Sequence, residues 1–302
     1  MKNTVPTIGT PPRATRSLGA ILVDGGQLKA EDAERVLQYQ RDHNLRFGEA
    51  AMRLGLISEA DIQFALSRQF SYAYLRQSPG EARVLSDELV AAFQPFSTRV
   101  EQLRAIRSQL MLRWFDKTEG RQVLTVVGPE RGEGRSYLAA NLAIVFSQLG
   151  ERTLLVDADM REPRQHFLFY LENRIGLSTL LAGRSREEAI VRIPDLAGLS
   201  VLPAGPTPPN PLELLNRLNF DEFMIQAKNA YDVIIVDTPA MSIGEDAAMI
   251  AVRTGAAIAV ARGGSTRVAA FTDLVRGLMD AGVSVVGSVL NEVPMKRKKK
   301  AK

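Results

Sequence analysis

Residues 123–136 run from five apolar or β-branched residues, Val-Leu-Thr-Val-Val, into Gly128-Pro-Glu-Arg-Gly132-Glu-Gly134-Arg-Ser136, and straight on into the helical pattern Tyr137-Leu-Ala-Ala-Asn-Leu-Ala. A strand that passes through a glycine-rich turn into a helix constrains the fold more than any other segment. The strand shows no polar alternation, so both of its faces must be covered. Runs of the same kind recur at 153–156, 199–202, 233–236, 256–261 and 285–290, with helical segments at 134–149, after Pro211 and at 267–281. Continuous apolar strands separated by helices predict an α/β fold with a mostly parallel sheet and helices on both faces. Such sheets bind ligands beyond the carboxyl ends of their strands.

The glycine-rich turn has the layout of a phosphate loop. Its glycines let backbone N–H groups point inward, and the helix N-terminus adds partial positive charge. The binding set is then Arg131, Gly132, Glu133, Gly134, Arg135, Ser136 and the first helical residue Tyr137, with the Ser136 hydroxyl placed to ligate Mg²⁺. Two slots of G-x₄-G-K-S/T depart from the pattern: Pro129 stands at the first glycine and Arg135 at the lysine. The second run ends in Asp157-Ala-Asp159-Met-Arg161 and the fourth in Asp237-Thr-Pro239. Three such elements at strand ends converge on one crevice, where Asp237 can hold the hydration shell of Mg²⁺.

Composition narrows the remaining chemistry. With no cysteine and only His43 and His166, disulfides, thiolate metal sites and cysteine nucleophiles are excluded. The net charge is +4, but six positive charges (Lys296, Arg297, Lys298, Lys299, Lys300, Lys302) lie in the last seven residues, leaving −2 for the rest. That distribution predicts a basic tail and no nucleic-acid-binding body. No apolar run approaches the roughly 18 residues of a membrane span, and residues 1–17 do not read as a secretory signal, so the chain is expected in the cytoplasm.

The first seventy residues repeat at an offset of 29: Leu18-Gly19 through Leu28 lies over Phe47-Gly48 through Ile57, and Asp32, Leu37 and Gln40 fall on Asp61, Leu66 and Gln69. Gly26 and Gly55 read as helix stops, and Ser58 with Asp61 as a capping box. Two helical hairpins packed face to face are predicted. The resulting division is 1–15 disordered, 16–72 an all-helical repeat domain, 73–96 a linker, 97–292 the α/β domain and 293–302 the tail. A single helical turn is expected near residues 85–93 of the linker.

The repeat resembles the N-terminal domain of type II secretion and pilus ATPases, whose extended form binds cyclic di-GMP. The resemblance implies a cyclic di-GMP site built from the glycine turns and Arg46, although Arg16, its counterpart, is displaced by one position. The alternative is a helical docking module whose glycines only end helices.

The α/β part resembles bacterial tyrosine kinases over residues 97–292, on Asp157-x-Asp159-x-Arg161 after a hydrophobic triplet and on Val201-Leu-Pro-Ala-Gly205-Pro-Thr-Pro-Pro-Asn-Pro211. Gly132-Glu-Gly-Arg-Ser-Tyr137 and the helix around Ile106-Arg-Ser-Gln-Leu-Met-Leu-Arg-Trp114 are similar to the chain-length-determinant kinase of exopolysaccharide operons with a B-type exosortase. The resemblance implies a P-loop NTPase using ATP and Mg²⁺. In it Arg135 and the backbone cradle the phosphates, Asp157 orients or deprotonates the nucleophile, Asp159 supports Mg²⁺ and Asn291 lies near the base. Glu101-x-x-Arg104-x-x-Arg107 matches the family's ring-forming motif; the plainer reading is an intrahelical ion pair.

The resemblance also implies a separate membrane chain-length-determinant protein as activator, which would place the chain peripherally at the inner membrane. A C-terminal tyrosine cluster is missing, since the tyrosines stand at 39, 72, 74, 137, 170 and 231; tail autophosphorylation is therefore not expected. Arg135 keeps the charge of the usual lysine but is bulkier, so binding should survive it better than catalysis. The rival reading is accordingly a nucleotide-sensing scaffold with little turnover that controls assembly of a polysaccharide export machinery. A partitioning ATPase would carry an extra lysine early in the loop, where this chain has Pro129, Glu130 and Arg131.

Overall fold

Each copy of the repeat folds as a short helix, a glycine turn and a longer helix: α1 (Leu18–Asp24) and α2 (Ala30–His43), then α3 (Phe47–Arg53) and α4 (Glu59–Gln69). The computed structural model describes residues 17–69, 75, 84–185, 187–194 and 196–292. The segment 1–15 and the basic tail 293–302 lie outside the described residues. The chain divides into two units, residues 1–74 and 75–302.

In the repeat unit both glycine turns close identically, with Gln27 N–H donating to the Leu22 carbonyl at 2.9 Å and Leu56 N–H to the Ala51 carbonyl at 3.1 Å. This is the Schellman closure that satisfies the last carbonyls of a helix. The capping box forms as well: Asp61 N–H donates to Ser58 Oγ at 3.3 Å, and Ser58 N–H to Asp61 Oδ2 at 3.0 Å. Helix α1 packs on α4 and α2 on α3, burying Leu22, Val36, Ala50 and Ala51.

The second unit opens with α5 (Val90–Phe93) and α6 (Thr98–Arg113). It continues as β1 (Val123–Val127), α7 (Arg135–Ser147), β2 (Thr153–Asp157), α8 (Gln165–Leu168), α9 (Leu177–Leu181), β3 (Val191–Arg192), β4 (Leu199–Leu202), α10 (Pro211–Leu215) and α11 (Leu218–Ala230). Strand β5 (Val233–Asp237), α12 (Asp246–Thr254), β6 (Ala256–Arg262), α13 (Val268–Asp280) and β7 (Ser284–Asn291) complete it. The strands lie in the order β3-β4-β2-β5-β1-β6-β7, and every neighbouring pair is parallel except β3 with β4. Each expected strand is present. The added edge strand β3 is two residues long, too short for periodicity to reveal.

Both faces of the sheet are covered. Leu124, Val126, Leu155 and Ile235 share a core with Leu142 and Ile144 of α7, while Leu154, Val156, Ile234 and Val236 share one with Leu177, Phe220 and Phe223. This is why the strands read as unbroken apolar runs.

The expected linker is corrected over its second half. Leu85, Leu89, Val90, Ala91 and Ala92 are buried in the same cluster as α7. The fully buried Asn141 holds them, accepting from Ala91 N–H at 2.9 Å and donating to the Glu88 carbonyl at 3.0 Å. The segment is fastened by side chain-to-backbone bonds rather than by a periodic face, so its pattern reads as a loop. On α6, Arg104 pairs with Glu101 within the helix and Arg107 donates to the Val145 carbonyl at 2.7 Å. Among the described residues no helix is long and apolar enough to cross a membrane.

Candidate functional site

Strand β1 delivers the chain to the loop, and α7 leaves it with Gly134 as its N-cap. Gly134 is held at φ +95°, where any other residue would be strained, and a Cβ there would stand 2.2 Å from Asn291 Nδ2 and displace it. No side chain caps α7 and its first turn carries no acid, which leaves its N–H groups and positive end open to an anion. Arg135 is 8% exposed; its Nε donates to the Thr238 carbonyl at 3.1 Å and its Nη1 lies 3.6 Å from Glu133 Oε2. Glu133 is itself buried, accepting from Glu130 N–H at 3.0 Å and from Thr266 Oγ1 at 2.6 Å. Arg131 stays at the surface in an ion pair with Glu162 at 2.8 Å.

The parallel pairing of β2 with β5 puts Asp157 directly opposite Asp237, and both are fully buried. Asp157 Oδ1 accepts from Asp159 N–H at 3.2 Å, and its Oδ2 from Arg164 N–H at 3.0 Å and Gln165 N–H at 2.9 Å. Asp159 Oδ1 accepts from Arg161 and Glu162 N–H at 3.2 and 2.8 Å. Burial, and then the charge of Asp237, hold the Asp157 carboxyl well above the usual range. Asp237 is pushed up to about 6 by burial, opposed by its hydrogen bonds with Gln165 and Ser136, and burial also raises Asp159. Buried carboxyls that raise one another's pKa favour a bound cation.

The oxygens present fit Mg²⁺. Asp237 Oδ1 is buried with no hydrogen-bond partner, and the Ser136 hydroxyl lies against the same carboxylate. Among the described residues no group of three or more acidic or histidine side chains is placed to hold a metal ion by itself. Mg²⁺ suits such a place, because it keeps several waters and is held through one or two carboxylates plus phosphate oxygens.

Sequence reasoning missed four supports of this site. Gln165, Thr266, Arg262 and Glu133 as a buried acid become visible only when α8 and the β6–α13 loop are folded against the phosphate loop: Gln165 Nε2 reaches Asp237 Oδ2 at 2.7 Å, and Arg262 Nη1 the Gly132 carbonyl at 3.3 Å. Arg161, the last residue of the Asp157-x-Asp159-x-Arg161 motif, grips the buried Asp246 at the start of α12 through Nε at 3.0 Å. Asn291 ends β7 beside the loop, donating to the Glu133 carbonyl at 3.0 Å. With Gly134, Tyr137, Arg99 and Leu103 it lines a cavity of about 740 Å³. Burial raises the Tyr137 phenol above its usual range, and the Arg99 charge opposes this.

In the repeat unit the turn glycines of the expected ligand site, Gly26 and Gly55, stay open, with nothing within 4 Å of an added Cβ, whereas the helical glycines Gly19 and Gly48 are packed. A Cβ at Gly19 would meet the Phe47 ring at 3.0 Å, and one at Gly48 would meet Ile62 at 2.9 Å. Arg46 is exposed at the N-cap of α3.

Residues 121–269 match the family described as cellulose biosynthesis protein BcsQ. Tyrosine-protein kinase YwqD of Bacillus subtilis is 34% identical over 217 residues, 72% of this chain and 90% of that one. Tyrosine-protein kinase etk of Escherichia coli is 34% identical over 204 residues, 68% of this chain but 28% of that much longer one. The solved kinase domain of Escherichia coli ETK superposes with a TM-score of 0.67 at 32% identity, covering 75% of this chain and 88% of the other. The septum site-determining protein MinD of Pyrococcus horikoshii, solved with Mg-ADP, shares the fold at a TM-score of 0.50 and 23% identity, over 56% of this chain and 70% of the other.

Proposed function

The chain belongs to the bacterial tyrosine-protein kinase family, and from that premise we propose that it is a Mg·ATP-dependent kinase-type ATPase acting in exopolysaccharide polymerisation and export. The observation that carries this reading is the meeting of the open α7 N-terminus with Ser136, Asp157 and Asp237 in one buried crevice. The backbone N–H groups of 131–136 and Arg135 bind the phosphates, and Ser136, Asp159 and Asp237 hold Mg²⁺, directly or through water. Mg²⁺, when bound, neutralises charge on the phosphate oxygens. Asp157 orients the accepting hydroxyl and takes its proton, a task for which a raised pKa suits it. Asn291 and the cavity beside Tyr137 receive the base.

The polysaccharide role draws support from the cellulose-biosynthesis family match. A membrane chain-length-determinant protein is the proposed activator, and a ring through Glu101, Arg104 and Arg107 the proposed assembly. For the repeat unit, docking is the favoured role, because Arg16, the counterpart of Arg46, stands one position out of register and Gly48 beside Arg46 is filled by packing, although the turn glycines Gly26 and Gly55 stay open. Calorimetry of the full chain with cyclic di-GMP tests that choice, and heat that disappears in Arg46→Ala would replace docking with sensing. The main reading is tested by ATP turnover and tyrosine phosphorylation with and without the activator's cytoplasmic segment. Nucleotide binding with no turnover in either condition would leave the scaffold reading, in which the internal contacts of Arg135 limit phosphoryl transfer.

A further inference from the structure

Gln165 belongs to none of the motifs that define the site, yet it is the residue on which three of them meet. Its side chain is fully buried. Its backbone N–H donates to Asp157 at the end of β2, and its Nε2 donates to the Ser136 carbonyl in α7 at 3.1 Å and to Asp237 Oδ2 at the end of β5 at 2.7 Å. Both of those side-chain partners only accept, so the amide nitrogen must face them and Oε1 must face away. Gln165 Oε1 and Asp237 Oδ1 are each buried without a hydrogen-bond partner. Two orphaned acceptors on side chains joined by a hydrogen bond, beside a serine hydroxyl, call for a cation with its water shell.

We infer that Gln165 is a positioning residue for the divalent cation: its two N–H donors fix Ser136 and Asp237 in register, and its Oε1 is an acceptor for the cation's water. The inference rests on the Mg·nucleotide reading of this crevice and deepens it.

The test is Mn²⁺ affinity read by electron paramagnetic resonance on the full chain with saturating ADP, alongside ADP affinity in chelator. Gln165→Met keeps the volume and removes the amide; Gln165→Glu keeps an acceptor and removes both donors. Both variants should weaken Mn²⁺ by about 10- to 100-fold, the usual loss when an outer partner of a metal site is removed. Metal-free ADP affinity should fall less than Mn²⁺ affinity, by no more than about fivefold, because neither variant removes a group of the phosphate loop and Gln165 touches that loop only at the Ser136 carbonyl. Mn²⁺ affinity unchanged in Gln165→Met, or retained in Gln165→Glu, would overturn the positioning role, and should Gln165→Met unfold, Gln165→Glu carries the comparison. Failure of the parent itself to bind Mn·ADP would instead sink the nucleotide reading.

Discussion

Among the described residues of the repeat unit every buried side chain is apolar or a glycine, whereas the phosphate-loop unit buries Glu133, Arg135, Asp157, Asp159, Gln165 and Asp237 around one crevice. Burying such groups costs free energy unless they are paired, so a fold that concentrates them in one place holds them there for chemistry. Glycine shows the same contrast. In the repeat unit Gly19 and Gly48 admit a neighbouring side chain, while Gly134 at φ +95° brings the backbone under Asn291 and opens the end of α7.

The largest expected effect is at Asp157. Asp157→Asn should lower turnover by about 10²- to 10⁴-fold if the carboxylate acts as base. It should also destabilise the fold by about 1 to 3 kcal/mol, because an amide nitrogen would face N–H donors from Asp159 or from Arg164 and Gln165. Turnover and thermal melting of one variant check both. In the repeat unit the damaging change is apolar instead: Leu22→Ala, at a fully buried position, should cost about 2 to 5 kcal/mol. Hydrogen exchange should place that loss in residues 17–69 and leave nucleotide binding intact; a loss of ATP affinity there would break the contrast between the units.

Arg161→Ala should cost about 2 kcal/mol, by stranding the buried Asp246 carboxylate at the start of α12. The figure is kept low because the Arg161 side chain is a third exposed. Chemical denaturation measures it.

The pH dependence follows from Asp237, whose pKa of about 6 in the fold exceeds that of an ordinary carboxylate. Its proton competes with a cation, so Mn²⁺ affinity should be full above pH 7 and fall about tenfold per unit as pH drops below 6. Without metal the sign reverses. The folded state binds this proton more tightly than the unfolded chain does, so the contribution of Asp237 to stability grows as pH falls through 6. The smallest effect belongs to Arg46→Ala, an exposed site whose loss should change stability by less than about 0.5 kcal/mol.

Much of this was legible in the sequence because the sheet is buried on both faces. Strands such as Val233–Asp237 carry no competing pattern, and Asp157 and Asp237 each end one of them. Likewise, the repeat and its capping box are local features, and local chemistry is written locally. What escaped depends on contacts between segments far apart in the chain. Gln165 meets Asp237 72 residues away, Thr266 meets Glu133 133 residues away, and the 84–96 segment gains its place through distant partners such as Asn141, Gln148 and Arg164. Neither periodicity nor spacing encodes such pairings.

The proposed Mg·nucleotide site is the crevice at the ends of β1, β2 and β5. Calorimetric titration of the full chain with ADP, in Mg²⁺ and then in chelator, for the parent and for Asp237→Asn, tests it most directly. The parent should show one site, at least about tenfold tighter with Mg²⁺, and Asp237→Asn no metal enhancement while metal-free binding persists. Equal Mg²⁺ enhancement in both proteins, or no binding by a parent that circular dichroism shows to be folded, would contradict it.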